Sequence, residues 1–450
     1  MKAFKAYDIR GVYGQDLTDE LAYRIGRCLP TVLRAKRVVV GRDVRASSPA
    51  LAEALIRGLL EAGADVDDMG RCTTPMCYFA NAEGGYDASV MVTASHNPPE
   101  YNGFKVCRSD ARPCGYEQGL REVEALLEGG ALPPPAAFPG TRRERAFTEA
   151  YVAWMAARKP DLSGLDFSVD FSDGATGLIG KALLPEAREA LNAGCSGRFA
   201  CHGPDPLKEA NRAQLRRSVQ AHRADVGLLF DGDGDRVCFV DAEGAFIPPD
   251  AFIPLIAEEL RARCPDASNA VVHDVRTSRG VIEALRERGF EPHMVKVGAA
   301  FAKTALRDLN GLCGGEVAGH YYFRDFHWSD SGLYAALIVL GVLARAKREG
   351  RTLRDLIGPI VGRYVSSGEV NIPDVADRSA AVARVEAAVT ALMGPPERRI
   401  DYDGVRLDWA DAWLGVRPSN TEPLLRIAAE AKTQPALERL LAAARSAVNG

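Results

Sequence analysis

The sequence predicts an α/β fold class: three tandem, related α/β domains with mixed sheets, followed by a smaller C-terminal α+β domain. Three observations carry this expectation. At 450 residues the chain is too long for one hydrophobic core. Apolar strand-like runs alternate with helix-period segments along most of it, the pattern of sheets layered with helices. Beyond about residue 366 that alternation gives way to strand, helix, strand, strand, helix. The domains are expected at 1–140, 141–247, 248–364 and 365–450.

In the first domain, residues 5–11 read as a short strand ending in Arg10 and Gly11, and residues 37–43 as a buried strand. Ser48-Pro49 opens a helix with Ser48 as N-cap and Pro49 at its first position, and Leu51, Leu55, Ile56 and Leu59 form its apolar face. Residues 65–69 and 88–92 supply two more strands. The loop 93–105 then places Ser95 at the carboxyl end of a parallel strand, where α/β proteins gather their chemistry. Ser95 and Asn97 also suit a plain turn next to Pro98 and Pro99. His96 and Lys105 tilt the balance, because they add potential charge beside a hydroxyl. The proline-rich segment 132–140 marks a boundary.

The second domain begins with a helix near 147–157 and a strand at 167–171. The glycine-rich turn 173–177 either holds a phosphate on a helix N-terminus or closes a strand–helix joint. Two strand-like runs, 226–230 and 237–240, frame Asp231-Gly232-Asp233-Gly234-Asp235-Arg236. Glycines at alternate positions let the backbone turn sharply enough to aim three carboxylates at one point. Anions so close need a cation, and carboxylate oxygens suit a hard ion such as Mg²⁺ or Ca²⁺. An EF-hand loop is excluded, since its sixth position would be Arg236 and its twelfth Ala242. Arg236 beside the carboxylates fits an ion shared with a phosphate, because guanidinium binds phosphate oxygens as a fork.

The third domain repeats the pattern: a strand at 270–275 leading to Arg276, a helix at 281–288, a strand at 312–316 leading to the loop 317–320, and a helix at 333–347. In the last domain the segment 417–423 lies between strands. Arg417, Ser419, Asn420 and Thr421 offer a guanidinium, two hydroxyls and backbone N–H groups, either a phosphate cradle or a polar hairpin turn.

Composition excludes several classes. Net charge is −4, so no general basic field points to nucleic acid. The ten cysteines form no Cys-x-x-Cys pair, zinc spacing or disulfide framework, and fit reduced thiols in a cytoplasm. The start of the chain has no apolar signal core, and the longest apolar run, 333–344, is too short to span a bilayer.

Taken in order, the loops 93–105, 231–236, 315–320 and 417–423 resemble those of the α-D-phosphohexomutase superfamily, most closely its bacterial phosphomannomutase/phosphoglucomutase branch. The resemblance covers nearly the whole chain, including residues 5–11 and His202-Gly203-Pro204-Asp205-Pro206-Leu207. It implies four domains around a central cleft, each donating one loop. By that resemblance Ser95 is the phosphorylated nucleophile, and Ser95, Asp231, Asp233 and Asp235 hold one Mg²⁺ per chain. Arg10, Lys105 and His96 join Ser95 in catalysis. Tyr7, Arg236, Arg276, Glu316, His320, Arg417, Ser419, Asn420, Thr421 and Arg426 bind substrate. The implied reaction interconverts hexose 1- and 6-phosphates of mannose or glucose through a hexose 1,6-bisphosphate, with glucose 1,6-bisphosphate as activator. Hexose phosphates are the expected partners, with no nucleic acid, membrane or obligate protein partner. A hinge is expected around 361–367, since a reorienting intermediate needs room and then closure.

Three positions depart from the family pattern. Ala318 stands where the sugar loop carries Ser, Arg276 where a Lys is expected, and Ala299 where a His is expected. The last leaves the general acid/base to Tyr7, Arg10, Lys105 or His320, with Arg10 foremost electrostatic because Arg keeps its proton. Phosphoglucosamine mutase is an alternative, although that branch carries Gly where Asn420 stands. A non-catalytic sugar-phosphate binder is another, motivated by Ala299 and Ala318 and opposed by the intact Ser95 and Asp triad.

Overall fold

The computed structural model describes residues 1–130, 132–418 and 424–449, which form four sheets. The first runs in the order Ile9–Val12, Tyr101–Arg108, Ala88–Val92, Arg37–Arg42, Asp65–Arg71, Arg142–Glu144. Its last four strands are parallel, and Tyr101–Arg108 and Ile9–Val12 add antiparallel at the other edge. Helices cover both faces, so Val38, Val39 and Val40 are all buried. They alternate sides with the period of two that a strand imposes: Val38 and Val40 feed one core, Val39 the other.

The second and third sheets repeat this plan with five strands each. They run Phe246–Ile247, Val237–Asp241, Val226–Phe230, Phe167–Asp170, Glu189–Leu191 and Glu291–Val295, Ser268–Asp274, Gly311–Gly315, Tyr321–Phe323, Ser329–Asp330. In all three domains one connection recurs. A parallel strand (Ala88–Val92, Val226–Phe230 or Gly311–Gly315) passes through a polar loop into an antiparallel neighbour in the same sheet. The internal repeat inferred from sequence is therefore a repeat of topology, and the chemistry-bearing loops occupy equivalent places in it.

The fourth sheet is wholly antiparallel, in the order Val365–Pro373, Leu424–Ala431, Ala412–Pro418, Val405–Asp408, Arg398–Ile400. The helices Arg378–Met393 and Gln434–Asn449 cover one face, burying Leu407, Leu414, Leu425 and Ile427 in a core of their own. The first three domains instead share one core, from Phe79 through Phe167 and Phe239 to Tyr334, on the helix Gly332–Arg348.

Three local expectations are corrected. The serine loop ends at Glu100, and Lys105 lies mid-strand in Tyr101–Arg108, because Phe104 and Val106 alternate into a core. The last domain has two further strands, Arg398–Ile400 and Val405–Asp408. The first is three residues long and opens with two arginines, which hid it from the apolar pattern. Ser48 does not cap its helix. Its hydroxyl donates to buried Asp43 (2.5 Å), and Ser47 takes the capping position.

The strand Ser268–Asp274 carries a buried histidine. The His273 Nδ1–H donates to the Asp274 carbonyl (3.0 Å), and burial pushes the imidazole pKa down to about 4. An unfolded histidine titrates near 6.5, so the unfolded chain takes up a proton that the fold refuses. Stability is unaffected above the unfolded value and falls as pH drops from about 6.5 to about 4, by about 3 kcal/mol at most. In urea titrations His273→Gln should flatten that acid limb; an unchanged slope would show that His273 is not its source.

Candidate active site

Ser95 sits in the left-handed region (φ +51°), unusual for a residue with a side chain. Its N–H donates to Thr93 Oγ1 (2.9 Å), whose hydroxyl donates to Asp43 (2.7 Å). Fully buried Arg45 holds the loop from below. Its guanidinium donates to the carbonyls of Ser95 (2.7 Å), Asn97 (2.6 Å), Pro98 (2.6 Å) and Tyr101 (3.1 Å), and Nε pairs with Asp43 (3.1 Å). One cation thus gathers four carbonyls and fixes where the Ser95 hydroxyl points. Sequence reasoning did not single out Asp43 and Arg45. The available signal was their place just after a parallel strand, the same argument that marked Ser95.

The Asp231–Asp235 loop meets this serine. Ser95 Oγ donates to Asp231 Oδ2 (2.9 Å), which also accepts from Arg236 Nε (2.9 Å). Asp231 Oδ1 accepts from the Gly234 N–H (3.0 Å). Asp233 Oδ2 takes Thr74 Oγ1 (2.5 Å) and Lys105 Nζ (2.7 Å), and Lys105 also reaches Asp235 (2.5 Å). The glycines are required by close approach. A Cβ on Gly232 would lie 2.4 Å from the Ser95 carbonyl, and one on Gly234 (φ +80°) 2.3 Å from Thr176 Oγ1. Backbone bonds from three domains pin the loop: Thr74 N–H to the Asp233 carbonyl (3.0 Å), Ala175 to Gly232 (2.9 Å) and Gly332 to Gly234 (3.2 Å).

The electrostatics follow from confinement. Burial, then Asp235 and Asp233, push Asp231 up to about 8. Burial also raises Asp233 and Asp235, but the Lys105 ammonium, joined by the Thr74 hydroxyl at Asp233 and by His320 and Arg236 at Asp235, brings both below the usual carboxylate range. Asp233 Oδ1 and Asp235 Oδ1 are buried with no hydrogen-bond partner among the described residues. One oxygen from each of the three carboxylates lies within 4.8 Å of the others. Orphaned, converging, hard oxygen donors are what a divalent cation site offers, so the residues fit a metal ion.

Around this centre the expected residues divide. Arg10 donates to Asn97 Oδ1 (2.7 Å) on the serine loop. His96 places Nδ1 3.4 Å from Ser95 Oγ, but desolvation and the cations Arg236, Arg10 and Lys105 hold it well below the ordinary histidine range. That environment disfavours the charge that His96 could add beside the hydroxyl. His320 Nδ1 binds Asp330 (2.7 Å), itself paired with Lys303 (2.6 Å), and lies 3.8 Å from Asp235. Glu316 accepts from the Tyr322 hydroxyl (2.5 Å), and Arg276 pairs with Asp274 (2.7 Å) within 3.6 Å of Glu316. Tyr7 meets the third domain, where its hydroxyl donates to the Val297 carbonyl (2.7 Å) beside Gly298 and the helix that starts at Ala299. Arg417 and Arg426 both bind Glu369, a residue no sequence signal marked. Ser419, Asn420 and Thr421 lie outside the described residues.

A serine hydroxyl held against a cation-ready carboxylate trio, with arginines beyond, is an arrangement suited to phosphoryl transfer and is assembled by several domains. Comparison with known proteins narrows it. Family descriptions for phosphoglucomutase/phosphomannomutase match in sequence order, alpha/beta/alpha domains I, II and III at residues 1–131, 146–244 and 248–364 and the C-terminal domain at 369–447. A phosphomannomutase of Salmonella montevideo is 37% identical over 445 residues, covering 96% of this chain and 95% of the relative. A phosphoglucomutase of Neisseria gonorrhoeae is 34% identical, covering 97% and 94%. A crystal structure of a phosphoglucomutase/phosphomannomutase family protein from Burkholderia thailandensis superposes with a TM-score of 0.88 at 31% identity, covering 100% and 97%. The chain belongs to the phosphoglucomutase/phosphomannomutase family of the α-D-phosphohexomutase superfamily, and it is a phosphohexomutase.

Gly232→Ala should displace the Ser95 carbonyl it would touch and cut turnover by about a hundredfold, the cost of misplacing a reacting group by an ångström. Circular dichroism should remain that of the parent chain. Wild-type turnover would show that the two loops are not in contact during the reaction.

Proposed function

We propose that the chain interconverts the 1- and 6-phosphates of mannose and glucose through a phosphoserine at Ser95 and a hexose 1,6-bisphosphate. The observation that carries this is the 2.9 Å contact from Ser95 Oγ to Asp231 inside the carboxylate trio. The names of the relatives, phosphomannomutase and phosphoglucomutase, support the two sugars. Asp231, Asp233, Asp235 and the phosphorylated Ser95 would hold one Mg²⁺. When bound, the ion supplies charge neutralisation on the phosphoryl oxygens.

A hexose phosphate binds with its distal phosphate on Arg417, Ser419, Asn420, Thr421 and Arg426, its hydroxyls on Glu316 and His320, and Arg276 and Tyr7 at the margin. Its free hydroxyl attacks the phosphoserine. The new O–P bond forms as the Oγ–P bond breaks, and the hydroxyl proton passes in net to Ser95 Oγ. Arg10, Lys105 and Arg236 stabilise the equatorial oxygens, which is most of what phosphoryl transfer requires. Neutral His96 orients the serine. The bisphosphate then turns over, and its other phosphate returns to Ser95. Glucose 1,6-bisphosphate activates by loading Ser95 through the same back-transfer. The free cysteines support a reducing, cytoplasmic setting for this activity.

A coupled assay with Mg²⁺ and a trace of glucose 1,6-bisphosphate should show turnover of both glucose 1-phosphate and mannose 1-phosphate. Ser95→Ala should lose more than about a thousandfold in kcat, the scale of losing a nucleophile. A chelator should abolish activity and added Mg²⁺ restore it. Undiminished turnover in Ser95→Ala would remove the phosphoserine from the mechanism.

A further inference from the structure

Arg417 and Arg426 are direct cross-strand partners in the antiparallel pair Ala412–Pro418 and Leu424–Ala431. Like charges placed opposite one another destabilise a sheet, and Arg417 is buried, which adds desolvation to repulsion. A third strand answers this. Glu369, on Val365–Pro373, accepts from Arg417 through Oε2 (2.9 Å) and from Arg426 through Oε1 (2.7 Å), one oxygen for each guanidinium. Arg276 of the third domain reaches to 3.7 Å of the same carboxylate. Glu369, Arg276, Arg417 and Arg426 line one pocket at the seam of the third and fourth domains.

Glu369 thus presents to these arginines the two-oxygen face that a phosphate would present. With it in place the Arg417–Arg426 pair carries a net charge of +1, whereas a phosphomonoester near neutral pH carries close to −2. We propose that Glu369 is an internal counter-anion at the distal phosphate grip, a positioning residue that competes with the substrate's phosphate. It holds the two guanidiniums side by side before substrate arrives. It then weakens their hold on phosphate enough for a bisphosphate to let go, turn over and be gripped again by its other end. The inference rests on the assignment of Arg417 and Arg426 to the distal phosphate made above.

The sign of one substitution separates this from a purely structural role. Glu369→Gln keeps the shape and one acceptor but removes the charge. If Glu369 competes with phosphate, the variant should bind inorganic phosphate and glucose 1-phosphate more tightly by about two- to tenfold, the range of a partly screened ion pair. KM should fall with it. If Glu369 only scaffolds the arginines, the variant should bind both more weakly, and weaker or unchanged binding overturns the proposal. Glu369→Ala carries the same test should the Gln variant not fold. Arg417→Ala is measured alongside by calorimetry on chain dephosphorylated at Ser95. Loosened binding there validates the phosphate grip on which the comparison depends. No effect of Arg417→Ala would overturn the grip itself, and the Glu369 proposal with it.

Discussion

Three carboxylates closed off from water beside a serine hydroxyl are the constraint from which the rest of the structure follows. Left alone they could not all remain charged, and Asp231 shows the strain, pushed up to about 8 by burial and its two neighbours. Much of the compensation comes from outside the loop's own domain. Lys105 and Thr74 reach in from the first domain and His320 approaches Asp235 from the third, while Arg236 and the Gly234 N–H act on Asp231 locally. The trio can exist only where the domains meet, which ties the site to the assembly of the fold.

That meeting has a topological basis. Each of the first three sheets turns from parallel to antiparallel pairing at one connection, and that connection carries the candidate site residues. A parallel strand ends at the rim of its sheet, and an antiparallel return keeps the loop short and braced by strands on both sides. Backbone pairing then joins loops of different domains, as in the bridge between Arg236 and His320 and the Val237 N–H bond to Gly319. Main-chain bonds have little rotational freedom, so they fix reacting groups more closely than long side chains can.

How much of this was legible in the sequence differs by kind of feature. Strands with consecutive apolar residues, such as 38–40 and 226–230, were plain, and so was the Asp-Gly repeat, because local sequence alone dictates them. Arg398–Ile400 was not, because a short charged strand owes its existence to the neighbour it pairs with. The roles of Arg45 and Glu369 were hidden for the same reason. Each acts on residues roughly fifty positions away, at Ser95, Arg417 and Arg426. What His96 contributes was not legible, because its tendency to carry charge depends on burial, Arg236 and Arg10, none of which a local motif displays.

The fourth domain obeys a different rule. The first three share an apolar core, whose opening would expose aromatic and aliphatic surface to water. The fourth keeps its own core and meets the third through polar contacts. Arg406 donates to the carbonyls of Val275 (2.6 Å) and Thr277 (3.3 Å), the Arg279 N–H to Glu430 (2.9 Å) and the Val297 N–H to Asp403 (2.9 Å). Water can replace each of these bonds, so separating that seam costs far less than opening the shared core. The metal-ready trio thus sits in the part of the molecule that must stay rigid to align an in-line transfer. Arg417 and Arg426, which grip the remote phosphate in the mechanism proposed here, sit on the part that can give way. A mutase that must hold one end of its intermediate still and then exchange it for the other needs that division of stiffness.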